Sequence, residues 1–297
     1  MAGFKRPPFR SLRDLVLKEL ASNQSTLVWN GDRTFADDLL PDISDSEAYI
    51  LDRSAQEYLA GLSDDLTQED YFRSIAHLRL PFRSVWIESV FDGDNDHTHP
   101  DQKYEVSNGA LIRQHEDGTE VMQVTVVHGE KPWRPLYSGT LVLFARDGEV
   151  ICTKTPISKL YDRMAEADGF SPDALLHGDI DKAVRMAGLF SVMTAVLDRP
   201  RVLDREPPHA LRKSEVKAYE RAGRTAPRQE PSIIRLSSGF QVEREGPPPG
   251  GEKTGIARAA HWVRGHLFLA RNGKLTWRRA HVRGEGVPAS RVHHVTE

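Results

Sequence analysis

Apolar and polar positions repeat with two different periods along this chain, and the change of period divides it. Ser11 to Ala21 carries apolar residues at the spacing of an amphipathic helix. Over Asp45 to Leu62, Ala48, Leu51, Ala55, Tyr58 and Leu59 fall at helical spacing, with Ser44 or Ser46 as N-cap. A third helix is predicted over Thr67 to Leu78, stopped by Pro81. From Phe82 the chain turns β-branched and aromatic. Strands are predicted at Phe82–Phe91, Tyr104–Gln114, Glu120–His128, Tyr137–Ala145 and Glu149–Lys154, separated by turn signals at Gly93, Glu116-Asp117-Gly118, Gly129 and Asp147-Gly148. Five strands on short links predict an antiparallel meander whose apolar face needs helices to cover it.

Outside that block, Thr26–Trp29 and Ile233–Leu236 read as short strands. Ile180–Leu197 reads as a helix apolar nearly all round, ended by Pro200. Residues 200–231 are rich in proline and charge, with a short helix at His209–Ala222 and Gly223 just after it. Glu245–Glu252 has the composition of a linker. The expected class is α+β: an antiparallel meander sheet covered by helices, with a C-terminal basic β-hairpin. The expected organisation is an α+β body over 1–200, a connection with a short helix over 201–250, and the hairpin over 251–297.

The hairpin has the sharpest signal. Two strand-like runs, His261–Ala270 and Lys274–Gly284, flank Asn272-Gly273, the dipeptide favoured in two-residue type I′ turns. With that turn Phe268 faces Trp277, His266 faces Arg279, Arg264 faces His281 and Trp262 faces Arg283. One face then collects Trp262, Arg264, His266, Phe268, Trp277, Arg279, His281 and Arg283. The other collects Val263, Gly265, Leu267, Leu269, Thr276, Arg278, Ala280 and Val282, an expected core face with one arginine in it. Interleaved arginine and aromatic residues suit nucleic acid, because guanidinium groups pair with phosphate and flat rings stack on bases. The internal alternative has the arginines stacking on the tryptophans and the face packing on an acidic body.

Charge sharpens this picture. The 297 residues carry a formal net charge of only −3, but Gly31–Glu120 holds 21 Asp and Glu against 7 Lys and Arg, a net of −14. Gly251–Glu297 holds 9 Lys and Arg against 3 Asp and Glu, a net of +6. Such asymmetry points to separate surfaces with separate partners, or to two regions that attract each other within one fold. A single cysteine, Cys152, excludes an intramolecular disulfide and suits a reducing compartment. The first 25 residues lack a signal-peptide core, and no apolar run approaches the ~20 residues that span a bilayer. A cytoplasmic protein with no membrane partner is expected.

The segment Val263-Arg264-Gly265-His266, with Trp277 and His281-Val282-Arg283-Gly284 on the return strand, resembles a C-terminal pattern of phage and mobile-element proteins. That group is similar to the anti-CRISPR family that blocks production of the type V-A nuclease at the level of its message during translation. Leu80-Pro81 leading into Val85-Trp86-Ile87, and the Ile233-Ile234 strand after a charged connection, look similar in order. Many relatives carry an aromatic residue after Arg-Gly-His, where this chain has Leu267. The resemblance implies a phage-encoded protein in the host cytoplasm that acts on RNA or a ribonucleoprotein, with a translating message as the target.

Other constellations carry less. Asp92 to Asp101 is acidic and includes His97 and His99, but counted as an EF-hand it has His97 at the glycine position and Lys103 at the closing glutamate position. A solvated loop is expected there, and neither a metal nor another cofactor. Gly250-Gly251-Glu252-Lys253-Thr254 places a glutamate where a phosphate loop needs glycine. His293-His294 reads as tail, and Cys152 as a buried structural thiol. The histidines and arginines of the hairpin would serve a nuclease, but no acidic residue on that face orients them. The expectation is a non-enzymatic phage or mobile-element protein whose hairpin binds RNA. The alternatives are a protein-binding module that meets a host partner through its acidic body, and a nuclease.

Overall fold

The computed structural model describes residues 11–22, 25–28, 31–63, 66–80, 82–93, 104–127, 135–168, 171–197, 202–221, 223, 226–237, 261–263, 266–272, 274–278 and 281–283. Helices α1 (Leu12–Leu20) and α2 (Thr34–Asp45) lead into strand β1 (Glu47–Leu51), followed by α3 (Arg53–Ser63) and α4 (Gln68–Ala76). The meander comes next: β2 (Ser84–Gly93), β3 (Tyr104–Gln114), β4 (Gly118–Val127), the short β5 (Leu136–Tyr137), β6 (Thr140–Ala145) and β7 (Val150–Lys154). Helices α5 (Ser158–Asp168) and α6 (Pro172–Val196), strand β8 (Leu203–Glu206), α7 (Lys213–Arg221) and β9 (Ser232–Leu236) complete the body. Four short strands follow: β10 (His261–Val263), β11 (His266–Leu269), β12 (Leu275–Arg278) and β13 (His281–Arg283).

The α+β class and the antiparallel meander agree with the sequence pattern, but the sheet is larger and mixed. Its strand order is β7-β6-β4-β3-β2-β1-β9-β8, with β5 pairing β4. β1 lies parallel to both β2 and β9, and β8 closes the far edge antiparallel to β9. Residues 203–206, read as part of a connection, are therefore the edge strand of the main sheet, and β9, where a short strand was expected, lies between it and β1. Both of its faces are covered. On one, Tyr49, Leu51, Val85, Ile87, Ala110, Ile112, Val121 and Val142 meet α3, α4 and α6. On the other, Ala48, Trp86, Leu111, Met122 and Val124 meet α1 and α2. Successive residues of one strand face opposite ways, so Val85 and Ile87 join one core while Trp86 joins the other.

The sequence reading fails where two-sided burial erases periodicity. Asp45–Leu62 is not one helix: Glu47–Leu51 is a strand buried on both faces, and α3 begins only at Arg53. A short run with apolar residues on both faces cannot be told from a buried helix by spacing alone. The local signal is Asp52, whose carboxylate accepts the Ala55 amide at 2.8 Å, as a helix cap does. Helix α2 departs from the sequence reading because Pro41, a residue that ordinarily ends a helix, lies inside it, although Ala36, Leu39 and Ile43 keep helical spacing. Helix α6 starts eight residues before the predicted Ile180, capped by Ser171 with Pro172 in its first turn; its N-terminal half is polar. Helix α5 was not predicted, and Ser25 to Val28 form a turn instead of a strand.

Helices α4 and α6 cross closely because residue 188 has no side chain. A Cβ built on Gly188 would lie 1.7 Å from the Tyr71 hydroxyl oxygen. Tyr71 is itself held in place by packing, and burial pushes its phenol up to about 12. Gly188→Ala is expected to cost about 1–3 kcal/mol of stability. In a Tyr71→Leu background the same change should cost less, which a double-mutant cycle by urea denaturation measures.

Candidate nucleic-acid interface

The C-terminal hairpin forms two short ladders, β10 with β13 and β11 with β12. Their register is one residue away from the expected one. His266 pairs with Arg278, Leu267 with Trp277, Phe268 with Thr276 and Leu269 with Leu275. The Ala270 amide donates to the Lys274 carbonyl at 2.9 Å, so residues 271–273 make a three-residue connection in place of a two-residue turn. Asn272 acts here through its side chain: its carboxamide oxygen accepts the Lys274 amide at 3.1 Å. In the outer ladder His261 pairs with Arg283, Trp262 with Val282 and Val263 with His281. None of the predicted pairings among described residues forms.

A one-residue slip regroups every side chain, and burial explains why this register holds. Leu267 and Leu275 are 4% and 5% exposed, with Leu269 and Trp277 packed beside them on the core that includes α3 and α6. The expected register would have placed Thr276 and Arg278 on that face. An arginine turned into an apolar core without a partner loses its hydration uncompensated, whereas Leu275 and Trp277 gain from burial.

Among the described residues, the predicted site residues therefore do not all share a face. His266 and Phe268 share a face of the inner ladder with Thr276 and Arg278; Trp277 lies on the other face, against the core. In the outer ladder Trp262 pairs with Val282, while His281 and Arg283 pair with Val263 and His261. Arg264 and Arg279 lie outside the described residues. Arg278, read as a blemish on the core face, is the basic residue that the true register adds to the His266 and Phe268 face. Arg271 and Lys274 are exposed at the turn.

The acidic stretch is only partly a surface. Glu47 and Glu88 are buried. Glu88 accepts the amides of Leu12 (3.0 Å) and Arg13 (2.7 Å) at the start of α1, and Trp86 Nε1 at 2.7 Å. Arg13, fully buried, donates to the carbonyls of Ser46 (3.0 Å) and Gln229. Glu47 binds Arg205 at 2.7 Å and the Gln229 side chain. Arg113 bridges Asp42 of α2 (2.9 Å) and Glu120 of β4. Glu47 thus neutralises Arg205 from outside the acidic stretch, whereas Asp42 and Glu120 neutralise Arg113 from within it.

Three further features complete the inventory. Asp179 of α6 is 4% exposed and accepts the Gly139 amide at 2.6 Å and the Tyr161 hydroxyl at 2.8 Å. Burial pushes the Asp179 carboxyl up, and burial together with the Asp179 charge pushes the Tyr161 phenol up; the pair ties α5 and α6 to the sheet. A depression of about 360 Å³ between α4 and the β6–β7 turn is lined by Phe72, Arg73, His77, Arg146, Glu69 and Glu149 among others. Burial, Arg73 and Arg146 hold His77 below the ordinary histidine value there. Cys152 is exposed, not buried as expected, because β7 is an edge strand. Partial desolvation still raises its thiol, which disfavours the thiolate a nucleophile needs.

Among the described residues no three His, Cys, Asp or Glu side chains come together to hold a metal, and residues 94–103 of the acidic loop lie outside them. No helix among the described residues is long and apolar enough to cross a membrane. No family model matches the chain, and no characterised protein or solved structure matches it either.

Proposed function

We propose that this is a non-enzymatic protein of a phage or other mobile element that binds RNA or a ribonucleoprotein through the outward face of its C-terminal hairpin. The supporting observation is the anchored register. One face of the inner ladder is fixed to the core by Leu267, Leu275 and Trp277, and the register puts positions 266, 268 and 278 on the other face. Arg278 meets phosphate, Phe268 offers a ring for stacking, and His266 adds a polar contact. Arg271 and Lys274 extend the positive surface at the turn. From the resemblance to the type V-A anti-CRISPR family we infer that this activity lies in the host cytoplasm and acts on production of the nuclease from its message.

The test is fluorescence anisotropy of the full chain with single-stranded RNA at two salt concentrations. Binding should weaken as salt rises, and Arg278→Ala should lower affinity severalfold and reduce the salt slope by roughly one. Affinity that ignores both salt and Arg278→Ala would remove the hairpin as the interface. Should the partner instead be a protein held by the acidic body, capture from host lysate would survive nuclease treatment.

A further inference from the structure

We infer that the free edge of β7 pairs with the same edge of a second copy, joining two sheets across a twofold axis centred on Cys152. β7 ends the strand order, and among the described residues it pairs only with β6. Its hydrogen-bonding phase can be read from its ends. The Thr155 amide donates to Gly139 O at 3.0 Å, and the Ala145 amide to Glu149 O at 2.9 Å. Odd-numbered residues therefore turn their main-chain groups toward β6, and by alternation Val150, Cys152 and Lys154 turn theirs outward.

The two ends of the sheet are treated differently. At the far edge, β8 exposes Asp204, Arg205 and Glu206 and buries only Leu203, the charged guarding that keeps strand edges from associating. β7 carries one charge in five residues, at its end. Ile151 is 40% exposed, and Cys152 and Thr153 are exposed beside it. An unguarded, β-prone edge is a pairing template.

A second copy fits this edge because the strand is complementary to itself. Antiparallel pairing about Cys152 sets Val150 against Lys154, Ile151 against Thr153 and Cys152 against its own counterpart. The outward groups of Val150, Cys152 and Lys154 are then all satisfied, and the lone lysine faces valine, never another lysine. No step of this contact uses the hairpin, so it stands apart from the RNA reading.

Self-pairing makes residue 152 its own neighbour, which gives a specific test. Sedimentation of the full chain under reducing conditions is expected to show a monomer–dimer equilibrium in the micromolar range. Cys152→Lys and Cys152→Glu, each placing like charges directly opposite one another, should each weaken dimerisation by roughly tenfold or more. An equimolar mixture of the two should recover it. Because the Cys152 side chain is exposed, far-ultraviolet circular dichroism should show all forms equally folded. A wild-type chain that stays monomeric up to hundreds of micromolar overturns the inference. So do Lys and Glu variants that associate as readily alone as mixed.

Discussion

Replacing Glu88 with alanine is expected to lower the unfolding free energy by about 3–5 kcal/mol, because it leaves three buried N–H donors without their acceptor. The Glu88 carboxylate holds the first amides of α1 and the Trp86 indole N–H at 2.7–3.0 Å, next to the fully buried Arg13. Alanine leaves those donors without their acceptor, and the Arg13 guanidinium without a nearby opposite charge, in a medium that water does not reach. Chemical denaturation followed by tryptophan fluorescence reads the loss. A change under about 1 kcal/mol would show that these donors do not depend on this carboxylate.

The same residue has a pH signature. Burial pushes the Glu88 carboxyl above the ordinary glutamate range, while the Arg13, Leu12 and Trp86 donors and the Arg13 charge act against that push. A carboxyl whose pKa is raised by folding favours the native state in its protonated form. Its contribution is complete below the unfolded value and is lost as the pH rises through the folded one. Glu88→Gln cannot ionise. Relative to wild type it should therefore gain stability across that window, and a difference that stays flat from about pH 4 to about pH 8 would contradict the raised value.

The second large effect belongs to the hairpin register. Leu275→Ala is expected to cost about 2–4 kcal/mol, since Leu275 is 5% exposed in the same core as α6. Thr276→Ala, one residue on and half-buried on the opposite face, should stay within about 0.5 kcal/mol. A two-residue Asn-Gly turn would reverse this order, because it directs Thr276 inward and Leu275 outward. Comparing the two variants by denaturation therefore decides the register and with it which arginine faces outward.

The hairpin shows how far local sequence reaches. The strand runs around Asn272 were legible from composition and spacing, and so was Leu267 as a core residue. The faces were not, because a two-residue and a three-residue connection differ by one position and the local turn preference named the wrong one. The choice was made by what lies beneath: α3 and α6 offer an apolar surface that accepts Leu275 and Trp277 and would exclude Arg278. That surface is built from residues about eighty to two hundred positions upstream, so no window around the turn contains it.

The body divides on the same line. The meander from β2 to β7 and the helices α1, α4 and α6 follow from alternation, helical spacing and turn residues, all local properties. Only the tertiary structure decided that β1 and β9 pair in parallel beside β2, that β8 closes the edge, that Glu47 pairs with Arg205, and that Glu88 accepts the first amides of α1. The sequence by itself determined the class, most strands and the charge asymmetry. Register, parallel pairing and the internal neutralisation of buried carboxylates depend on long-range contacts. Those contacts decide which face of each element is apolar, because a buried polar group persists only where a distant partner satisfies it.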